Sequence, residues 1–187
     1  NNIIVVGKKL GDGEFEVYYN GKSMGVTSFK VGAEIKLESG WNWMSNYTES
    51  SIALKQAGST DYITEYFTGS NMIKEARSQT DLLYNDTEKY GAFGTIEEFK
   101  PNTMYKVNMA GSRSFYPEST ELTSSEVRIA TKGYTWINYP IVGNHSMEYF
   151  NNQAKLEGFN GCVIMGKDGF AEYNNGKWVA SGNFKME

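Results

Sequence analysis

The pentapeptide Gly40-Trp41-Asn42-Trp43-Met44 returns 93 residues later as Gly133-Tyr134-Thr135-Trp136-Ile137. Behind each copy the same elements recur in one order: a short helix, a strand and an aromatic hairpin. The copies align Trp43 with Trp136, Tyr84 with Tyr173, Tyr90 with Trp178 and Gly94 with Gly182. Self-similarity on this scale marks tandem supersecondary units that stack or share a core. The expectation is a mainly β protein with a few short helices, made of two homologous β-rich subdomains behind an N-terminal β-hairpin. The hairpin takes 1–32, the first unit 33–110, a Ser/Thr-rich linker 111–125 and the second unit 126–187. The second unit lacks the strand that closes the first.

Strand-forming residues dominate where they are needed. The chain holds 13 Tyr, 10 Phe, 4 Trp, 20 Gly and only 3 Pro, which suits strands joined by tight turns. Net charge is −4 and no Lys/Arg run exceeds two residues, so no nucleic-acid partner is expected. No apolar run reaches the length of a membrane span, so no membrane insertion is expected. Because the chain starts at Asn1 without Met, it is expected to be a processed or excised piece of a longer protein.

In order, Ile3-Ile4-Val5-Val6 reads as an apolar strand, and 14–19 alternates into Asn20-Gly21, a type I′ turn dipeptide. A two-residue loop sets Tyr18 opposite Ser23 and Val17 opposite Met24. A strand comes next at 33–37. Trp41 and Trp43 share one strand face by the two-residue period. Residues 50–57 suit a short helix and 61–67 a second helix or turn. A strand starts at Met72, and a hairpin turns around Asn85-Asp86-Thr87. Residues 104–109 alternate cleanly as the closing strand. In the second half, Glu126-Val127-Arg128-Ile129 is a lead-in strand and 146–156 a helix. Residues 161–165 form a strand, and a hairpin about Asn174-Asn175-Gly176-Lys177 sets Tyr173 opposite Trp178.

Gly40-Trp41-Asn42-Trp43, Ser78-Gln79-Thr80, Tyr84 and Pro101-Asn102-Thr103-Met104-Tyr105-Lys106-Val107 resemble the GWNW/SQT/MYKV-type tandem β-repeats of large secreted and cell-surface proteins of Bacteroidetes. The resemblance covers roughly 33–187. The second copy departs from it, with Tyr134-Thr135 in place of Trp41-Asn42 and without Ser-Gln-Thr. It implies an extracellular setting and brings no catalytic residues.

The chemistry available is mostly non-catalytic. Glu97 and Glu98 are adjacent and point apart on a strand, so they do not converge on one bond. No zinc or calcium spacing is present, and neither a metal nor a cofactor is expected. Cys162 cannot close an intrachain disulfide and reads as a small buried hydrophobe; as a nucleophile it needs a base, and the only histidine is His145. Aromatics carry the positive signal. Trp43 and Trp136, equivalent in the repeat, are expected as core anchors. Trp41, Tyr90, Tyr134, Tyr173 and Trp178, with Asn175, are the candidate platform for a glycan or a surface protein. The function expected is a non-catalytic extracellular binding or adhesion module. The alternative is a structural subunit of a fibre, pilus-like polymer or phage particle. The open edge of the second unit is expected to be covered by the chain's own residues 3–6, by the same segment of a neighbouring subunit, which builds a polymer, or by a part of the parent protein.

Overall fold

The computed structural model describes residues 11–31, 34–117, 133–138, 146–149, 151, 160–182 and 184. The strands expected at 3–6 and 126–129, the stretch of the linker at 118–125, most of the 146–156 helix and the chain end at 185–187 lie outside the described residues. The protein is mainly β, as the sequence implies.

A two-stranded hairpin comes first, β1 (Gly11–Tyr19) and β2 (Lys22–Val31). Its turn is Asn20-Gly21 with φ of 49° and 75°, the positive values a type I′ turn demands. Tyr18 pairs with Ser23 as expected, but Val17 pairs with Gly25 rather than Met24. A bulge beyond Tyr18 absorbs the extra residue. In Gly25, φ is 129°, which only glycine adopts without strain.

The next elements build one core. They are β3 (Ile35–Leu37), β4 (Gly40–Ser45), β5 (Ile52–Ala53), α1 (Thr64–Phe67), β6 (Ile73–Arg77), β7 (Leu82–Asp86), β8 (Gly91–Gly94), β9 (Glu98–Phe99), β10 (Met104–Met109) and β11 (Arg113–Phe115). A five-stranded antiparallel sheet has the order β4-β10-β6-β7-β8. Its inner face carries Met44, Tyr105, Val107, Ile73, Ala76 and Leu83. These pack against residues from β3–β11, β5–β9 and α1, among them Ile35, Leu54, Phe67, Phe99 and Phe115. The arrangement is sandwich-like, one broad sheet against small two-stranded pieces. Residues 50–57 are not a helix. Ile52 and Leu54 are buried while Ala53 is exposed, a two-residue period, and Leu54 N–H donates to Glu97 O at 2.9 Å. The linker also begins later than expected, because β11 pairs with β3 and Phe115 lies in the first core.

One buried polar group ties these pieces together. Asn46 is fully buried, and its Nδ2 donates to Ser50 O (2.9 Å) and Phe99 O (2.8 Å). Its Oδ1 accepts from Thr48 N (3.1 Å) and Thr48 Oγ1 (2.8 Å). All four hydrogen-bonding positions of the amide are used.

In the second half α2 (Met147–Tyr149) precedes a meander of β12 (Val163–Met165), β13 (Gly169–Asn174) and β14 (Lys177–Gly182). Its turn, Asn175-Gly176, again has φ of 51° and 82°. A smaller core gathers Met147, Ile164, Ala171, Trp178 and Phe184. Compared on their turns, this meander and β6-β7-β8 exchange large for small. The buried cross-strand pair Ala76–Leu83 corresponds to Ile164–Ala171. Asn85–Ala92 corresponds to Tyr173–Trp178. Trp178 therefore sits where Ala92 sits and not where Tyr90 does, since the first hairpin spends four residues on its turn and the second only two.

Candidate functional site

Alternation along β4 and β10 decides where the repeat tryptophans go. Asn42 and Met44 face inward, so Trp41 and Trp43 share the outer face of the five-stranded sheet. Trp43 is half-buried there and pairs with Lys106. Trp136 is also half-buried and lies on the other side of the same lysine. Lys106 Nζ is 4.3 Å from the Trp43 ring centroid and 4.8 Å from that of Trp136. The two residues expected as separate core anchors instead hold one cation between them, an arrangement worth about 1–2 kcal/mol when partly desolvated.

Segment 133–138 is fastened at that end of the sheet by side-chain amides. Gln79 Nε2 donates to Tyr134 O (3.2 Å), and its Oε1 accepts from Trp136 N (3.0 Å). An amide offers one donor side and one acceptor side, so it stands in for a paired peptide group. Ser78, Thr80 and Asp81 shape the turn that presents Gln79. Ser78 Oγ accepts from the backbone N–H of Asp81 (2.9 Å), and Asp81 Oδ2 accepts from Thr80 Oγ1 (2.7 Å). Asn138 Nδ2 donates to Asn102 Oδ1 at 2.5 Å. Asn42 holds the backbone N and O of Glu38 in the same way, and Asn151 those of Trp178. The edge of β14, expected to be open, is thus occupied at Trp178 by Asn151.

A groove of about 630 Å³ opens at this end of the sheet, between the 78–81 turn and the β5–β9 pair, with Trp136 among its walls. Lys55 and Glu97 pair at 2.6 Å on its β5–β9 side, and Lys100 and Asn102 contribute from the turn before β10. The Thr80 hydroxyl, above all, holds the Asp81 carboxyl below its ordinary value, and the hydrogen bond to Glu97 holds the Lys55 ammonium above its own. Both groups stay charged near neutrality. For Asp81 the folded value is depressed, so its contribution to stability is present above the unfolded value and lost as pH falls through the folded one. An NMR titration of the Asp81 carboxyl is expected to give a midpoint below the ordinary value of about 3.9; a midpoint at or above it would mean that the turn's hydroxyls do not hold the carboxylate.

The six platform candidates are not brought together. Trp41 is on the outer sheet face, 41% exposed, with the Arg77 guanidinium 5.9 Å from its ring. Tyr134 is 90% exposed beside Gln79. Tyr90 is exposed at the opposite end of the sheet, in the turn after β7. Asn175 forms the tip of the last hairpin, where its N–H donates to Asn160 Oδ1. Trp178, expected at the surface, is 3% exposed in the second core, and half-buried Tyr173 packs edge-on against it at 5.2 Å. Asn85, expected in a turn, is buried on β7. Cys162 is half-buried against the second core.

Sequence reasoning missed Gln79, Lys106, Asn102 and Lys55. The signal for Gln79 and Lys106 lay inside Ser-Gln-Thr and Met-Tyr-Lys-Val, but their partner is distant in sequence. Among the described residues no group of three or more His, Cys, Asp or Glu is placed to hold a metal ion, and no helix is long and apolar enough to cross a membrane. Comparison with protein-family models, curated proteins and solved structures returned no match for this chain.

Proposed function

We propose that the chain is a non-catalytic binding module of a secreted or cell-surface protein, with a glycan as ligand of the groove beside Trp136. The observation that carries this reading is the groove's composition. One indole lies among amides (Gln79, Asn102), hydroxyls and charges of both signs (Lys55, Lys100, Asp81, Glu97, Glu98). A few convergent polar groups beside an aromatic surface suit a ligand rich in hydroxyls, and three carboxylates against two cations disfavour a polyanion. Asp81, held below its ordinary value, is unsuited to the general-acid role, which needs a raised pKa, and this supports binding over turnover. The resemblance to secreted Bacteroidetes repeats supports the extracellular setting.

A glycan array followed by calorimetry tests this. Lys100→Ala and Trp136→Ala are expected to weaken binding of the selected glycan, and Tyr90→Ala, at the far end of the sheet, to leave it unchanged. An array without hits, or binding indifferent to both groove variants, would sink the groove. Hydrolysis of the glycan would overturn the non-catalytic reading.

A structural role in an extracellular assembly is the second reading, favoured by the β1–β2 hairpin. It forms a sheet of its own, with Tyr18, Tyr19, Met24 and Val26 each more than 60% exposed. Two-stranded hairpins are marginal alone, and their free edges invite a further strand. Sedimentation that depends on concentration and is abolished by deleting 1–31 supports this role; a monomer at all concentrations removes it.

A further inference from the structure

In the five-stranded sheet β6 is flanked by β7 on one side and by β10 on the other. Its counterpart in the second unit is β12, since Ala76–Leu83 corresponds to Ile164–Ala171. Among the described residues β12 pairs with β13 alone, and nothing takes the place of β10. That place matters to the first core, because β10 brings Tyr105, Val107 and Met109 into it, each 3% exposed or less. Segment 133–138 corresponds to β4, the other neighbour of β10, and it forms no ladder among the described residues. With Trp136 aligned on Trp43, Asn138 stands where Ser45 pairs with Met104, and Asn138 Oδ1 is buried without a hydrogen-bond partner. Both neighbours of a β10 counterpart are thus unpaired.

The register shows which backbone groups β12 leaves open. Tyr173 O accepts from Gly161 N–H at 3.0 Å, and Tyr173 N–H donates to Cys162 O at 2.9 Å. Gly169 O accepts from Gly166 N–H at 2.9 Å, so the odd-numbered residues of β13 turn their backbone toward β12. Ala171 is opposite Ile164, so Ile164 bonds to β13, while Val163 and Met165 turn N–H and C=O to the free edge. Their side chains, 51% and 63% exposed, lie on the outer face, and Ile164 faces the core. On β6 the equivalent positions are Glu75 and Arg77, which pair with Asn108 and Lys106 of β10. A strand laid beside β12 therefore meets apolar side chains on both faces. Val163-Ile164-Met165 has no charge or proline to blunt the edge.

We propose that the β12 edge is a docking site for an extended segment of another protein chain, added antiparallel to β12 and apolar on both faces over three residues. Main-chain bonds to Val163 and Met165 hold it, one of its faces extends the Ile164 side of the second core, and the other meets the Val163 and Met165 side chains. The β12 of a second copy does not fit this role. Its Ile164 is already packed in its own core, and three paired residues bury far less than the roughly 1,000 Å² of a specific interface. The proposal does not depend on the groove beside Trp136 being a glycan site.

The test is an NMR titration of the ¹⁵N-labelled chain with the capped peptide Lys-Thr-Val-Ile-Val-Thr-Lys. Saturable shifts of the Val163 and Met165 amides are expected, with their hydrogen exchange slowed about tenfold or more. The same peptide N-methylated at both valines keeps its side chains but loses the N–H groups that face β12, and it is expected not to bind. Val163 is exposed, so Val163→Lys leaves the core untouched; folded Val163→Lys is expected to lose the shifts and Tyr90→Ala to keep them. No shift, equal binding of the N-methylated peptide, or shifts that survive Val163→Lys would overturn the proposal. So would binding seen only after Ile4→Lys with Val6→Lys, since the chain's own residues 3–6 would then be what covers β12.

Discussion

Trp178→Ala is expected to cost about 3–5 kcal/mol of stability, the range for truncating a buried large aromatic. Trp178 is 3% exposed and packs with Ile164, Ala171 and Phe184, and the Tyr173 ring stands edge-on to it. Among the described residues the second core has few other large side chains to collapse into the space the indole leaves. The two hydrogen bonds between Asn151 and the Trp178 backbone, each 2.8 Å, do not involve the indole and survive the truncation. Urea unfolding monitored by far-ultraviolet circular dichroism reads the loss. A variant within about 0.5 kcal/mol of the parent would behave as a surface truncation and put Trp178 back among the candidates for ligand contact.

Asn46→Leu should also destabilise, for a different reason. Leucine is similar in size and more apolar, and Asn46 is fully buried, so burial area alone predicts a neutral or favourable change. The hydrogen bonds predict the opposite. The Thr48 hydroxyl can turn its one proton to Ser50 O at 3.0 Å, but the Thr48 N–H loses the partner that Asn46 gave it, and Phe99 O loses one of two. The Thr48 N–H is left unsatisfied, at about 1–3 kcal/mol, while Phe99 O keeps its place in the β5–β9 ladder. Asn46 bridges β4 to β9, so loss of the bonds should also loosen the β5–β9 pair. Hydrogen exchange at Leu54, whose N–H donates to Glu97 O, is expected to speed up. Unchanged stability would show that water or a relaxed backbone replaces the amide.

The local sequence determined most of the strands and both tight turns. The Asn-Gly dipeptides at 20–21 and 175–176 require positive φ at both central residues, a property of those residues and not of the fold, and the pairing of Tyr173 with Trp178 is its direct consequence. Alternation over 104–109 likewise made β10 legible, since a period of two needs no knowledge of the partner. Residues 50–57 were misread because a run without a breaker suits a helix as well as a strand. Only pairing with β9 and the bond to Glu97 O selected the strand.

Which face of a strand meets the core was decided by the tertiary structure alone. Trp41 and Trp43 share a face from sequence, but the side that is inward depends on β10 lying between β4 and β6 and on the inner pieces covering Met44 rather than Trp43. A shift of one residue exchanges every side chain between core and surface, so an error of parity moved Trp43 and Trp178 in opposite directions. The same holds for the candidate sites. The Lys106 cation between Trp43 and Trp136 and the Gln79 amide on segment 133–138 each join residues that are neighbours only after folding. Sequence periodicity carries the direction of a side chain along its own strand; the identity of what it meets is set by how strands from distant parts of the chain are ordered.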